Sequence, residues 1–159
     1  MPNSRGPGVA WRPRMRRRPM SRYVARSTLC VTLLCWMPFL AAQEVVVHPT
    51  VTHETIARST LRAIFGMRLR NWPDGMPIVV FVLRSDDPAH AAFTKQTLDM
   101  FPHQLQRAWN RLVYSGTGQA PMVVSSPQEM ADKIATTPGA VGYLSRDWIN
   151  EKLRVLSVE

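Results

Sequence analysis

Ile78-Val79-Val80-Phe81-Val82-Leu83-Arg84-Ser85-Asp86-Asp87-Pro88 carries two structural signals in a single short stretch. Six apolar residues without polar alternation predict a strand buried on both faces, as in sheets covered by helices on either side. The two aspartates and the proline then supply a cap and a first-turn residue for a helix. Ala92, Phe93, Gln96, Thr97 and Met100 fall on successive turns, so this helix is predicted to run to about Met100. A buried strand that passes directly into a helix is the opening of a βα crossover, which points to an α/β fold.

The chain on either side fits that reading. Glu44 to His48 reads as a short buried strand closed by Pro49. Ser59 is the expected cap of a helix bearing Leu61, Ile64 and Phe65 on one face, with Gly66 as its stop. Asn71-Trp72-Pro73-Asp74-Gly75 is turn chemistry. Beyond Pro102, Leu105, Ala108, Trp109 and Leu112 form the apolar stripe of another helix, and Tyr114 to Gly118 is a loop. Met122 to Val124 is a strand, and Ser126-Pro127-Gln128-Glu129 is a capping box that opens a helix ending by Pro138. Gly139 to Leu144 and Leu153 to Val158 are two last strands, separated by a polar segment with Trp148 and Ile149. The order β, α, β, α, α, β, α, β, β, with crossovers long enough to return parallel, predicts a single three-layer αβα domain.

The formal charge of +9 suggests nucleic acid until the charges are located. Residues 1–42 hold eight arginines and no acid; the remainder holds twelve Lys and Arg against eleven Asp and Glu. A near-neutral body has no electrostatic reason to seek a polyanion. The basic stretch precedes an apolar run from Ser27 to Leu40 and the small pair Ala41-Ala42, the pattern of a secretory signal peptide cleaved after Ala42. Met20, followed by Ser21-Arg22, is an alternative start. A retained signal anchor is the competing reading, and the membrane is otherwise not expected as a partner. Cys30 and Cys35 leave with the leader, so the mature residues 43–159 have no thiol for a disulfide or a nucleophile. A chain of this length buries roughly two-thirds of its unfolded surface, and it is expected to fold without metal or cofactor.

Few residues suggest chemistry. Arg84, at the carboxyl end of its strand, either clamps an acidic ligand or pairs with Asp86 or Asp87. Ser115-Gly116-Thr117-Gly118 either cradles an oxyanion with its amides or simply connects two elements. His48 and His53 lack the spacing of a metal pair and have no evident third ligand. His90 either senses pH or faces solvent in the first helical turn. Of Trp72, Trp109 and Trp148, at least two read as core. Ser85, Asp86 and His90 contain the residue types of a catalytic triad, but sequence adjacency is not triad geometry, and no enzyme is expected.

Two phrases carry a family resemblance. Leu61-Arg62-Ala63-Ile64-Phe65-Gly66, continuing to Trp72-Pro73-Asp74-Gly75, resembles a segment of the phosphate-binding components of ABC transporters. Thr136-Thr137-Pro138-Gly139-Ala140-Val141-Gly142-Tyr143-Leu144 is similar to their Thr-Pro-Gly-Ala-Ile-Gly-Tyr segment. The likeness covers nearly all of residues 45–158 and implies one lobe of a type 2 periplasmic binding protein. It also implies an exported module that binds a small oxyanion or a protein partner, such as an ABC transporter or envelope component. The resemblance implies Arg84 and Ser85 as ligand residues, and His90 and the loop residues Ser115, Gly116 and Thr117 are candidates beside them. The chain departs from the family in two ways. Members have two lobes and two to three times this mature length, and they read Arg-Ser-Asp-Gly-Ser-Gly-Thr where this chain has Arg84-Ser85-Asp86-Asp87-Pro88-Ala89-His90. The alternative is an envelope scaffold that keeps the lobe and binds no small ligand.

The leader reading has a direct check. Intact-mass analysis of exported protein is expected to find an N-terminus at or within a few residues of Gln43, and a full-length, membrane-retained chain would refute cleavage.

Overall fold

The computed structural model describes residues 42–159; the basic and apolar leader, its cleavage and the alternative start at Met20 lie outside the described residues. Six strands and four helices follow in the order β1 (Gln43–Val47), β2 (Thr55–Ile56), α1 (Arg58–Phe65), β3 (Val79–Leu83), α2 (Pro88–Gln96), α3 (Pro102–Tyr114), β4 (Met122–Val124), α4 (Pro127–Thr136), β5 (Ala140–Ser145) and β6 (Arg154–Val158). A 3-10 turn, Arg146–Trp148, follows β5.

The strands form one sheet in the order β2-β6-β1-β5-β3-β4. β3 is parallel to β4 and β5, and β2 is parallel to β6. β1 is the exception, antiparallel to both β5 and β6, so the sheet is a mixed one. Its three valines, Val45, Val46 and Val47, are buried on both faces of this central position. The carboxyl ends of β2 through β6 all lie along one edge of the sheet.

Helices cover both faces, giving the three-layer architecture. On one face the rings of Phe65 (α1), Phe93 (α2) and Tyr143 (β5) pack together, with Phe93 and Tyr143 stacked at 4.0 Å. On the other, α4 lies so close to β5 that a Cβ on Gly142 would stand 2.7 Å from Ile134 Cδ1 and 2.9 Å from Met130 Sδ.

Local signals placed most elements, with three corrections. Ser59 does not cap α1: the helix begins at Arg58 after Ala57, and the Arg58 N–H is taken by the Glu159 carbonyl at 2.9 Å. The second helix stops at Gln96 rather than Met100, because Asp99 adopts φ 50° and Arg62 of α1 binds both the Leu98 carbonyl and the Asp99 carboxylate. The two-residue β2 has no signal of its own in the sequence.

Gly139 sits at φ 73°, and a Cβ there would collide with the Pro77 carbonyl oxygen. Backbone blocks this position, whereas only the movable ends of Ile134 and Met130 stand over Gly142. Gly139→Ala is therefore expected to cost more than Gly142→Ala, about 2 kcal/mol or above from left-handed strain and overpacking together. Urea denaturation of the two variants checks the order, and an equal or reversed cost would contradict it.

Candidate functional site

The carboxyl edge of the sheet is where ligands of α/β folds bind, and β3 delivers Arg84 and Ser85 to it. Both are exposed and both are occupied. The Arg84 guanidinium lies 3.2 Å from the Asp86 carboxylate, which it holds below the usual carboxylate range, and Ser85 Oγ donates to Gln106 Oε1 at 3.0 Å. The start of α2 is likewise filled from within. Asp87 Oδ1 accepts the Ala89 N–H at 2.7 Å, and Pro88 at the first helical position has no N–H to offer.

His90 does not face solvent. It is 1% exposed, beneath α2, with its ring 6.1 Å from Trp109 and its Nδ1 2.6 Å from the Tyr143 hydroxyl. That hydroxyl accepts the Leu83 N–H at 2.9 Å, so its own proton is free for His90. The phenol, the Leu83 amide and His90 Nδ1 are all matched when the imidazole is neutral with Nδ1 as the acceptor. Burial pushes the imidazole below its ordinary value, against an opposing pull from Asp87, and pushes the Tyr143 phenol well up.

The second candidate cluster is a helix end. The amides of Gly116, Thr117 and Gly118 donate to the Val113 and Leu112 carbonyls, and Ser115 Oγ donates to the Arg111 carbonyl at 2.7 Å. Arg70 then binds the Thr117 carbonyl at 2.7 Å. These amides close the C-terminus of α3, where the dipole is negative, rather than converging on an anion. Nor do the two clusters meet: Ser85 bonds the second turn of α3 and Ser115 ends that helix, nine residues on, or about 13 Å at 1.5 Å per residue.

The remaining candidates are dispersed. His48 Nδ1 is 2.9 Å from Thr50 Oγ1, and the His53 ring lies 6.1 Å from that of Trp72. Among the described residues no three His, Cys, Asp or Glu side chains are grouped to hold a metal, and no helix is long and apolar enough to cross a membrane. Trp72 and Trp109 are core, and Trp148 is exposed. Sequence reading missed the hydroxyl of Tyr143, whose two partners arrive from 60 and 53 residues away.

The phrases behind the resemblance are joined in space: Trp72 Nε1 donates to the Gly139 carbonyl at 3.0 Å. The model of the PBP superfamily domain matches residues 37–158. The chain belongs to the PBP superfamily. Among solved structures, the PBP chain is similar to an ABC-type phosphate transport receptor from Vibrio cholerae, at 15% identity and TM-score 0.58, covering 75% of this chain and 47% of that one. It is similar also to PstS from Borrelia burgdorferi, at 20% identity and TM-score 0.58, with the same coverages. This PBP domain thus spans about half the length of those proteins and has the fold of one lobe. No curated protein is similar to it in sequence at a significant level.

The buried His90–Tyr143 pair makes stability depend on pH. A folded-state value lowered below 6.5 means that the unfolded chain takes up the proton first as pH falls. The pair's contribution is therefore complete well above pH 6.5 and declines as pH falls through that value toward the lowered folded value. The melting temperature is expected to fall between about pH 7.5 and pH 5.5, above the range where carboxylates titrate. His90→Asn, which can keep an acceptor near the hydroxyl, is expected to flatten that slope. Tyr143→Phe is expected to cost about 1–3 kcal/mol by stranding the Leu83 N–H. An unchanged slope in His90→Asn would assign the acid sensitivity elsewhere.

Proposed function

We propose that this chain is an exported, non-catalytic binding module of the PBP superfamily, one that recognises its target through the carboxyl edge of the sheet together with a second component. The observation that carries this reading is the state of the α2 turn. A helix N-terminus attracts an anion because its first amides are unpaired and its dipole end is positive. Here the Asp87 carboxylate already takes the Ala89 amide, and Arg84 and Ser85 are engaged by Asp86 and Gln106. Within this lobe a small oxyanion meets a tethered carboxylate in its place. A partner that supplies further donors, such as a transporter or envelope component, is what makes the edge a site.

A non-catalytic role is consistent with the same geometry. Ser85 donates to an amide oxygen rather than to a base, and the imidazole nearest it in sequence is committed to Tyr143 in the core. The leader, if cleaved as its composition suggests, puts the module in the periplasm or outside the cell.

Each charge-assisted hydrogen bond forgone costs about 1.5–3 kcal/mol, so three of them remove several orders of magnitude in affinity. Titration calorimetry of the exported protein with inorganic phosphate is expected to show no binding tighter than about millimolar; a micromolar constant would overturn the reading. Asp87→Ser, which leaves His90 in place, is expected to raise phosphate affinity measurably. If it brings no gain, Arg84 and Ser85 are not ligand contacts.

A further inference from the structure

Between Arg84 and Ala91 the chain turns from β3 into α2, and in that stretch His90 is the only buried residue. Arg84, Ser85, Asp86 and Pro88 are exposed, and Asp87, Ala89 and Ala91 are half-buried. Most polar bonds of the stretch are internal. Arg84 pairs with Asp86, the Asp87 N–H donates to the Arg84 carbonyl at 3.0 Å, and the Asp87 side chain and carbonyl take the Ala89 and Ala91 amides at 2.7 and 3.1 Å. Two side-chain bonds tie it to other elements: the exposed one from Ser85 to Gln106, and the buried one between His90 and Tyr143. The next turn of α2 is held differently, with Ala92, Phe93 and Thr94 all buried and Phe93 stacked on Tyr143.

We propose that residues 84–91 form a latch that protonation of His90 releases, so that acid opens the carboxyl edge at β3 while the sheet and the rest of α2 stay folded. The groups facing the ring leave a charged imidazole no place in the core. From β5 comes the Tyr143 hydroxyl, which needs Nδ1 as its acceptor and itself accepts the Leu83 N–H of β3. From α3 comes the Trp109 indole, whose N–H is committed to the Phe65 carbonyl at 2.7 Å. The charge that acts on the ring is the Asp87 carboxylate of its own helix, already engaged by the Ala89 amide. A protonated Nδ1 therefore strands the phenol's proton and buries a cation, and both costs vanish when the ring swings into water with its turn. The anchor is thus conditional on pH, which a neutral amide or an apolar side chain would not be. The latch concerns how the edge is held and does not depend on what the edge recognises.

Amide hydrogen exchange of the exported protein, followed residue by residue between about pH 8 and 5 and corrected for its intrinsic pH dependence, tests the latch. The Asp87, Ala89 and Ala91 amides are expected to lose protection about tenfold per pH unit below 6.5, since opening takes up one proton, at a rate that dilute urea leaves unchanged. The amides of β1 are expected to stay far more protected and to respond to urea, as groups exposed only by global unfolding do. In His90→Asn the pH dependence of the three amides is expected to vanish. Protection of these amides that does not change with pH overturns the proposal. So does a match with β1 in protection and urea response, which would mean that the turn opens only with the whole domain, and so does a pH dependence that persists in His90→Asn.

Discussion

The hydroxyl of Tyr143 holds the carboxyl edge of this sheet in its observed form. It accepts the last amide of β3 and donates to His90 in the first turns of α2, while its ring stacks on Phe93 of the same helix and touches Phe65 of α1. A buried hydroxyl, amide or imidazole without a partner is costly, so each of the three constrains the other two. The junction fixes where α2 begins. Asp87 caps the helix and Pro88 opens it, and these positions bring His90 under the helix to meet the phenol. The turn from β3 to α2 is therefore part of the core as well as part of the surface. A turn of the family's glycine, serine and threonine type would place threonine at position 90 and leave the phenol and the Leu83 amide to be satisfied in another way.

That coupling explains which features were legible in the sequence. The runs at 78–83 and 140–144 and the helices opened by Pro88, Pro102 and Pro127 depend on local apolar content and local caps, and they occur where expected. What was not legible depends on distant chain. Ser59 had the right chemistry for a cap, yet the carbonyl of Glu159, a hundred residues later, takes the first amide of α1 instead. The direction of β1 follows from its two neighbours, since three valines in a row are equally good in either direction. His90 looks like a solvent-facing residue from its position beside a cap, and it is buried because Trp109 and Tyr143 approach it from other elements. Ser115-Gly116-Thr117 has the composition of an anion loop; only the placement of α3 reveals that its amides are turned back onto carbonyls.

The two phrases that resemble the phosphate-binding components meet at the turns that precede β3 and β5, at the opposite ends of those strands from Arg84 and Ser85. The Trp72 indole reaches the Gly139 carbonyl, the Val79 amide shares that carbonyl at 3.2 Å, and the absence of a Cβ at Gly139 admits the Pro77 carbonyl beside it. This knot joins the turn before β3 to the turn before β5, and so sets the register in which those parallel strands lie, with Val79 opposite Ala140. Its residues are constrained by packing and backbone geometry, whatever the lobe binds. Likeness in this region is accordingly a statement about architecture.

Ligand chemistry is subject to a different constraint. At the exposed carboxyl edge the fold tolerates replacement of any polar group whose removal leaves nothing buried and unpaired. The chain shows this division: the knot at Trp72 and Gly139 is fixed by backbone contacts, whereas the β3–α2 turn carries a capping carboxylate, a proline and a core histidine. In this chain the Asp87 carboxylate caps α2 by accepting the Ala89 N–H, and the same turn carries His90 into the core to meet Tyr143, so the polar atoms of the turn are matched to one another. A turn whose groups are already paired is fixed by the packing beneath it, and its chemistry at the edge follows from that packing.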